Sequence, residues 1–286
     1  MLVSVYIPSR NRFNLLRRAI TSVLNQSVES LEVIVVDDCS TDPEYETLLS
    51  CFNDQRLKVI RNSTALGACT SRNIAIKIAN GDFVTGLDDD DFFLPHRIEA
   101  FMKKHKEIAS DKNTDSPILF SSALLLGTDS NKIVNTSKTV AANQIRMQNF
   151  IGNQIFCRTQ QLREVGLFNE ALPAWQDWEL WIRLVRRFGS AINCNTPTYI
   201  IDETHGLARI SSRPSNIIRM AYEMVSANIP NISPIERSAL LLSLRSYPQV
   251  SLTATEKIQL LYLITQPSFV LKKIALKLHN KFSLSL

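Results

Sequence analysis

Four carboxylates stand in an unbroken run at Asp88, Asp89, Asp90 and Asp91, between the apolar end of residues 83–87 and Phe92-Phe93. Four adjacent like charges repel each other, and a strand that only needed to end could do so with Asn, Gly or one Asp. The run is therefore either a solvated acidic turn or the seat of a cation that offsets the repulsion, and hard divalent cations take carboxylate oxygens. A second acidic pair, Asp37-Asp38, follows the apolar residues 33–36. There Asx capping of the next turn, through Asp37 and Ser40, is the plain structural reading. A further carboxylate, Asp177, sits among Trp175, Gln176 and Trp178 ahead of a helical pattern. The plain structural reading is that it caps that helix.

These groups need a frame to hold them. Apolar, β-rich runs at residues 2–7, 33–36, 57–61 and 83–87 alternate with helical spacing at 13–24, 45–52 and 68–79. Strand and helix in alternation imply an α/β fold with a parallel sheet covered on both faces. Both acidic clusters then lie at the C-terminal ends of strands, the edge where open sheets of this kind bind ligands. Beyond them the pattern predicts a helix over 95–108, a strand over 117–126, a hairpin partner at 132–139, a strand over 153–158 and a helix over 179–188. Residues 193–203 read as extended and 209–213 as a loop. From residue 216 onward the pattern is helical, over 217–227, 234–246, 254–264 and 267–281. The shift in composition near Arg213 divides the chain into a ligand-binding and catalytic domain, 1–213, and a C-terminal helical region, 214–286.

The 286 residues are 45% hydrophobic and 21% charged, an ordinary globular composition. The net charge of +5 suits an anionic partner such as a phosphate ligand or an acidic lipid surface, and is too diffuse to argue for nucleic acid. Five scattered cysteines with no CxxC pair read as reduced thiols and argue against a zinc site. The opening MLVSVYIPSRNR lacks a basic region before its apolar run and reads as a first strand, not a signal peptide. No apolar stretch reaches the ~20 residues of a membrane-spanning helix. A cytoplasmic protein is expected.

Four segments stand in order: VYIPSRNR, VIVVDDCSTD, TSRNIAIKIANGDFVTGLDDDD and WQDWELWIRL. With them the chain resembles the inverting family-2 glycosyltransferases over about residues 3–210. The resemblance implies the GT-A fold: a Rossmann-like, mostly parallel central sheet with helices on both faces, here followed by a helical tail. It implies a UDP-sugar donor held by Pro8, Ser9 and Arg10 after the first strand, by Asp38 at the base or ribose, and by Arg72, which could instead pair with Asp38. The acidic run resembles the family's DxD motif. By that match Asp88 would hold the ribose or assist the metal, and Asp90 would coordinate Mg²⁺ or Mn²⁺. Asp91 would cap the following helix or orient the ligand. Asp89 replaces the usual small residue on the donor side. Asp177 matches the family's base, with Gln176 where a Glu is usual. His205 stands where some members of the wider fold place a metal ligand, or is a plain surface histidine, and Arg209 in the same loop could reach the diphosphate. Trp175 and Trp178 either stack on an acceptor sugar or pack; Trp181 reads as core.

The Q-x-x-R-W motif of processive members is missing, which implies one sugar added per encounter. The segment FVLKKIALKLHNKFSLSL carries Lys272, Lys273, Lys277 and Lys281 among apolar residues. It is either a packing helix or a basic amphipathic one for an acidic membrane surface. The single-domain size and the arrangement QDWELWIRL…ETHGLARIS resemble bacterial enzymes that add Glc or Gal by a β1,3 link to undecaprenyl-diphosphate-linked GlcNAc or GalNAc in O-antigen assembly. A different acceptor, such as a capsule chain or a protein, and an inactive sugar-nucleotide-binding module stay open at this level.

Overall fold

Apolar runs without polar alternation have to be covered on both faces, and the first third of the chain does this around one sheet. The computed structural model describes residues 1–110, 117–128, 130–207 and 212–265. β1 (Val3–Ser9) and β2 (Leu31–Asp37) are buried at every position. They pair in parallel, with β3 (Leu57–Arg61) outside β2 and β4 (Phe83–Gly86) on the other flank of β1. Helices α1 (Phe13–Leu24), α2 (Leu48–Phe52) and α3 (Ala68–Ile78) connect them. In α1, Phe13, Leu16, Ala19, Ile20 and Val23 recur at helical spacing and form its buried face.

The chain runs outward from β1 through β2 to β3, then returns to lay β4 against the free side of β1. At such a reversal the C-terminal ends of the strands open a crevice. Ser9 ends β1, Asp37 stands opposite it at the end of β2, and the acidic run leaves β4. Beyond β4 the large sheet continues through β10 (Phe156–Arg158), β6 (Ile118–Phe120), β11 (Ala191–Asn193) and β9 (Thr139–Val140). β10 is antiparallel to both its neighbours. A smaller sheet, in the order β5 (Phe92–Phe93), β12 (Tyr199–Asp202), β7 (Ala123–Leu126) and β8 (Asn131–Val134), carries the chain away from the acidic run and brings it back. Helices α4 (Arg97–Ala109), α5 (Ala142–Ile145), α6 (Thr159–Glu164) and α7 (Gln176–Phe188) complete this unit.

Several local expectations change. Residues 117–126 are two strands in two sheets, broken at Ser121-Ser122. The Ser121 hydroxyl accepts from buried Arg97 and the Ser122 hydroxyl donates to the Asn135 carbonyl, and the chain crosses between sheets there. The hairpin partner is shorter than 132–139: β8 pairs with β7, while β9 joins the large sheet. Residues 45–52 split into a 3₁₀ turn, Pro43–Thr47, opened by Asp42 and Pro43, and α2. α7 starts at Gln176 rather than 179.

A second unit gathers Arg146–Asn149 and Leu172–Trp175 with α8 (Ser215–Asn228), α9 (Pro234–Ser243) and α10 (Ala254–Thr265). α9 opens on a capping box, in which the Ser233 hydroxyl accepts from the Glu236 amide and the Glu236 carboxylate accepts from the Ser233 amide. Arg209 and the lysine-rich segment from residue 271 lie outside the described residues. Among the described residues no helix is long and apolar enough to cross a membrane. All five cysteines are free thiols.

Gly86 closes β4 directly before the acidic run, and a Cβ there would collide with the Tyr6 ring and the Gln154 amide oxygen. Gly86→Ala should therefore destabilise the fold by about 1–3 kcal/mol, the usual effect of overpacking a filled interior. Urea unfolding checks this, and an unchanged midpoint would contradict the close packing of Tyr6 and Gln154 against β4.

Candidate active site

Three of the four adjacent carboxylates are buried: Asp89 and Asp90 nearly so, and Asp91 fully. Buried carboxylates need donors, and each of the four has its own set. Asp88 accepts from Arg72 Nη2 at 3.0 Å, Gln154 Nε2 at 3.2 Å and Asn153 Nδ2 at 2.9 Å. Asp89 accepts from Ser9 Oγ at 2.7 Å and Arg12 Nη1 at 3.1 Å. Asp90 Oδ2 takes the same Arg12 Nη1 at 2.8 Å. Asp91 accepts from Tyr199 Oη at 2.8 Å, Asn153 Nδ2 at 3.2 Å and the Asp202 amide at 3.0 Å. Burial pushes the Asp89 carboxyl up to about 6 against the pull of Arg12 and Ser9. Burial, with Asp88 and Asp90 beside it, drives Asp91 well above the ordinary range. Protein guanidiniums and hydroxyls thus offset much of the repulsion. Asp91 does not cap a helix, because β5 follows it and α4 begins only at Arg97.

The crevice collects the other expected donor-side residues with different outcomes. Pro8 and Ser9 end β1, and Ser9 links Asp89 to Tyr45, whose hydroxyl lies 2.7 Å from Ser9 Oγ. Arg10 is exposed, and its charge helps hold Asp38 ionised. Asp38 ties down the loop before α3, accepting from Asn62 Nδ2 and the Leu66 and Gly67 amides. Burial opposes this, yet the three bonds keep Asp38 below the ordinary carboxylate range. Arg72 does not pair with Asp38. It is buried, stacks over the Phe168 ring, and spans from Asp88 to Gln176, whose Oε1 accepts from Nη1 at 2.9 Å.

Asp177 stands one residue beyond Gln176, in the first turn of α7. The helix has already begun there, so Asp177 is not its N-cap. Its carboxylate is half-buried, and no side chain among the described residues hydrogen-bonds it. Burial pushes it up to about 7, opposed by Arg72 and reinforced by Asp88. Trp178 and Trp181 are buried, donating to the Ile145 and Gly152 carbonyls. Trp175, at positive φ, is enclosed in the second unit by Tyr222 and Tyr247. Of the two readings of Trp175 and Trp178 the structure takes packing, because neither offers an open ring face.

His205 Nε2 lies 3.4 Å from Asp90 Oδ2. Neighbouring ligands of an octahedral cation at ~2.1 Å stand about 3.0 Å apart, so the pair would have to close by a few tenths of an ångström to share one. Among the described residues no group of three or more such side chains gathers, so a cation would complete its shell from ligand oxygens and water. His205 Nδ1 accepts from the Leu207 amide at 3.0 Å. In the neutral ring that bond leaves the proton on Nε2, facing Asp90, and ligation would require it to leave.

Arg12, Arg18, Asn153, Gln154, Tyr199 and Asp202 were not singled out from the sequence. Arg18 bonds the Asp90 carbonyl and the Asp202 carboxylate. The signal for Arg12 was the excess of negative charge itself, which called for cations nearby. Tyr199 and Asp202 lie over a hundred residues from the run and carry no such signal.

Residues 4–162 match the family described as Glycosyl transferase family 2. The chain belongs to glycosyl transferase family 2. It is 32% identical over 214 residues to WcaA of Escherichia coli (strain K12), a glycosyl transferase named for colanic acid biosynthesis, covering 74% of this chain and 76% of WcaA. It is 31% identical over 197 residues to Escherichia coli WfgD, a UDP-Glc:alpha-D-GlcNAc-diphosphoundecaprenol beta-1,3-glucosyltransferase, covering 68% and 74%. The crystal structure of S. aureus TarS 1-349 in complex with UDP-GlcNAc superposes with a TM-score of 0.66 at 20% identity, covering 92% of this chain and 80% of that 1-349 fragment. That likeness concerns the fold, which is GT-A. The protein is a glycosyltransferase.

The raised Asp177 carboxyl has a consequence for stability. Its folded value of about 7 lies above the ordinary 3.8, so between those values the folded protein binds more protons than the unfolded chain. Stability then falls as pH rises through that window. Asp177→Asn should melt higher than wild type at pH 8, with the difference closing as pH falls towards 4. Melting curves across pH check this, and a variant less stable at pH 8 would contradict the burial of an unpartnered charge.

Proposed function

We propose that this glycosyltransferase moves a hexose, Glc or Gal, from a UDP-sugar to a lipid-diphosphate-linked GlcNAc or GalNAc, forming a β1,3 link with inversion. The observation that carries the reading is Asp177, a raised, half-buried carboxylate with no side-chain partner among the described residues, on the segment that Arg72 joins to the acidic run. The names of WfgD and of WfaP, 28% identical over 234 residues, support the donor and the undecaprenyl-diphosphate acceptor. The reaction would run at the cytoplasmic face of the membrane, and the segment from residue 271 would contribute peripheral contact with its lipids. Nucleic acid has no part in it.

The donor lies in the crevice between β1 and β4, with Pro8, Ser9 and Arg10 along the end of β1, Asp38 towards the nucleoside, and Asp88 and Asp89 at its floor. Arg72 keeps Asp88 in place and supplies positive charge between donor and base. Asp90 and His205 would hold Mn²⁺ or Mg²⁺, which when bound neutralises the diphosphate and eases its departure. The acceptor hydroxyl oxygen bonds to the anomeric carbon on the face opposite UDP, the bond from that carbon to the phosphate oxygen breaks, and UDP leaves with the electron pair. Asp177 takes the hydroxyl proton. A base near pKa 7 is ionised at working pH yet still accepts a proton readily.

Asp177→Asn should lower turnover by roughly 10²–10⁴-fold, the usual worth of a positioned base, while UDP affinity barely changes. In wild type kcat/KM should rise with pH and level off above about 7. Normal turnover in Asp177→Asn would remove Asp177 from the chemistry. Asp90→Ala should abolish both transfer and Mn²⁺-assisted UDP binding, measured by calorimetry with and without EDTA. Full activity of that variant in EDTA would remove the metal from the mechanism.

A further inference from the structure

Arg12 occupies the place at Asp90 that a divalent cation would need, and this follows from its two separate holds. Its backbone amide donates to Tyr45 Oη at 2.9 Å, and that hydroxyl meets Ser9 Oγ, which donates to Asp89. Its Nη1 closes the ring on Asp89 Oδ1 at 3.1 Å. The same Nη1 reaches Asp90 Oδ2 at 2.8 Å, the atom His205 Nε2 also faces. Asp89 stands where the family resemblance implies a small residue. Its extra carboxylate gives the same Nη1 a second anchor beside Asp90.

We infer that Arg12 is the internal counter-cation of the acidic run, and that a divalent cation gains Asp90 by displacing it, which couples cation binding to binding of a nucleoside diphosphate. This rests on the metal reading proposed above. Arg12 and a cation on one carboxylate oxygen repel each other, so the free protein resists the exchange. A diphosphate brings enough negative charge to partner both the cation and the released guanidinium. Among the described residues Arg12 keeps its backbone bond to Tyr45 and its contact with Asp89 when its reach to Asp90 opens. The arginine is thereby a further residue of the donor site, one that discriminates against a bare cation.

The test is Mn²⁺ binding to the full chain, read by electron paramagnetic resonance of free Mn²⁺ with and without UDP. In wild type, UDP should tighten Mn²⁺ by roughly 5- to 150-fold, the usual span of a coupling between two ligands. Arg12→Gln should bind Mn²⁺ more tightly than wild type when UDP is left out, and show a smaller gain on adding it. Arg12→Lys, which keeps the charge, should stay near wild type. Unchanged Mn²⁺ affinity in Arg12→Gln without UDP overturns the inference, as does a wild type whose Mn²⁺ affinity ignores UDP, a result that needs no variant to fold. If Asp90→Ala lowers Mn²⁺ affinity in either of those cases, the metal reading survives and only the role of Arg12 fails. If wild type binds UDP but no Mn²⁺ at all, the metal reading falls and this inference with it.

Discussion

Four adjacent carboxylates at the end of β4 are the constraint around which this unit is built. Left without partners they would drive the crevice open, because a buried charge without donors is far costlier than an exposed one. The donors come from segments distant in sequence: Ser9 and Arg12 at the end of β1, Arg72 on α3, Asn153 and Gln154 before β10, and Tyr199 on β12. Satisfying one acidic turn therefore fixes how both sheets and two helices meet. A network of this kind is rigid when complete and fragile when any member is lost.

The same network divides the site into two chemical regions. Arg72 spends its two terminal nitrogens on Asp88 and on the neutral amide of Gln176, and makes no hydrogen bond to the Asp177 carboxylate. A carboxylate at position 176 would compete with Asp88 and Asp177 for that one positive charge. Gln176 accepts the hydrogen bond without adding charge. The acidic run is thus held by dense bonding, whereas Asp177 is held by its place on α7 and by the field of Arg72.

How much of this was legible in the sequence depends on the range of the interaction. The parallel core was readable because β1 and β2 are continuous apolar runs and α1 keeps strict helical spacing. The acidic run stood out by its own repulsion, whereas Asp177 became a candidate base only through the family resemblance of the segment around it. Residues 117–126 misled, since an apolar run gives no sign that two serines will turn it into another sheet. Asn153 and Gln154 read as the start of a strand, but their amides are turned to Asp88 and Asp91 and pairing begins only at Phe156. For Trp175 and Trp178 the sequence left stacking on a sugar and packing both open, and tertiary contacts cover both. Tyr199 and Asp202 bond Asp91 across more than a hundred residues, a pairing that no local pattern encodes.

The central claim is that one carboxylate, Asp177, serves one displacement at the anomeric carbon. It is tested most directly by the configuration of the product. Wild-type protein, a UDP-α-hexose and a GlcNAc- or GalNAc-diphosphate-lipid analogue would be incubated, and the anomeric proton of the new linkage read by nuclear magnetic resonance. The account predicts a β linkage, formed in step with release of UDP. An α linkage would contradict it, because retention requires two displacements or a reaction on the face that UDP leaves, and neither uses Asp177 as its single base.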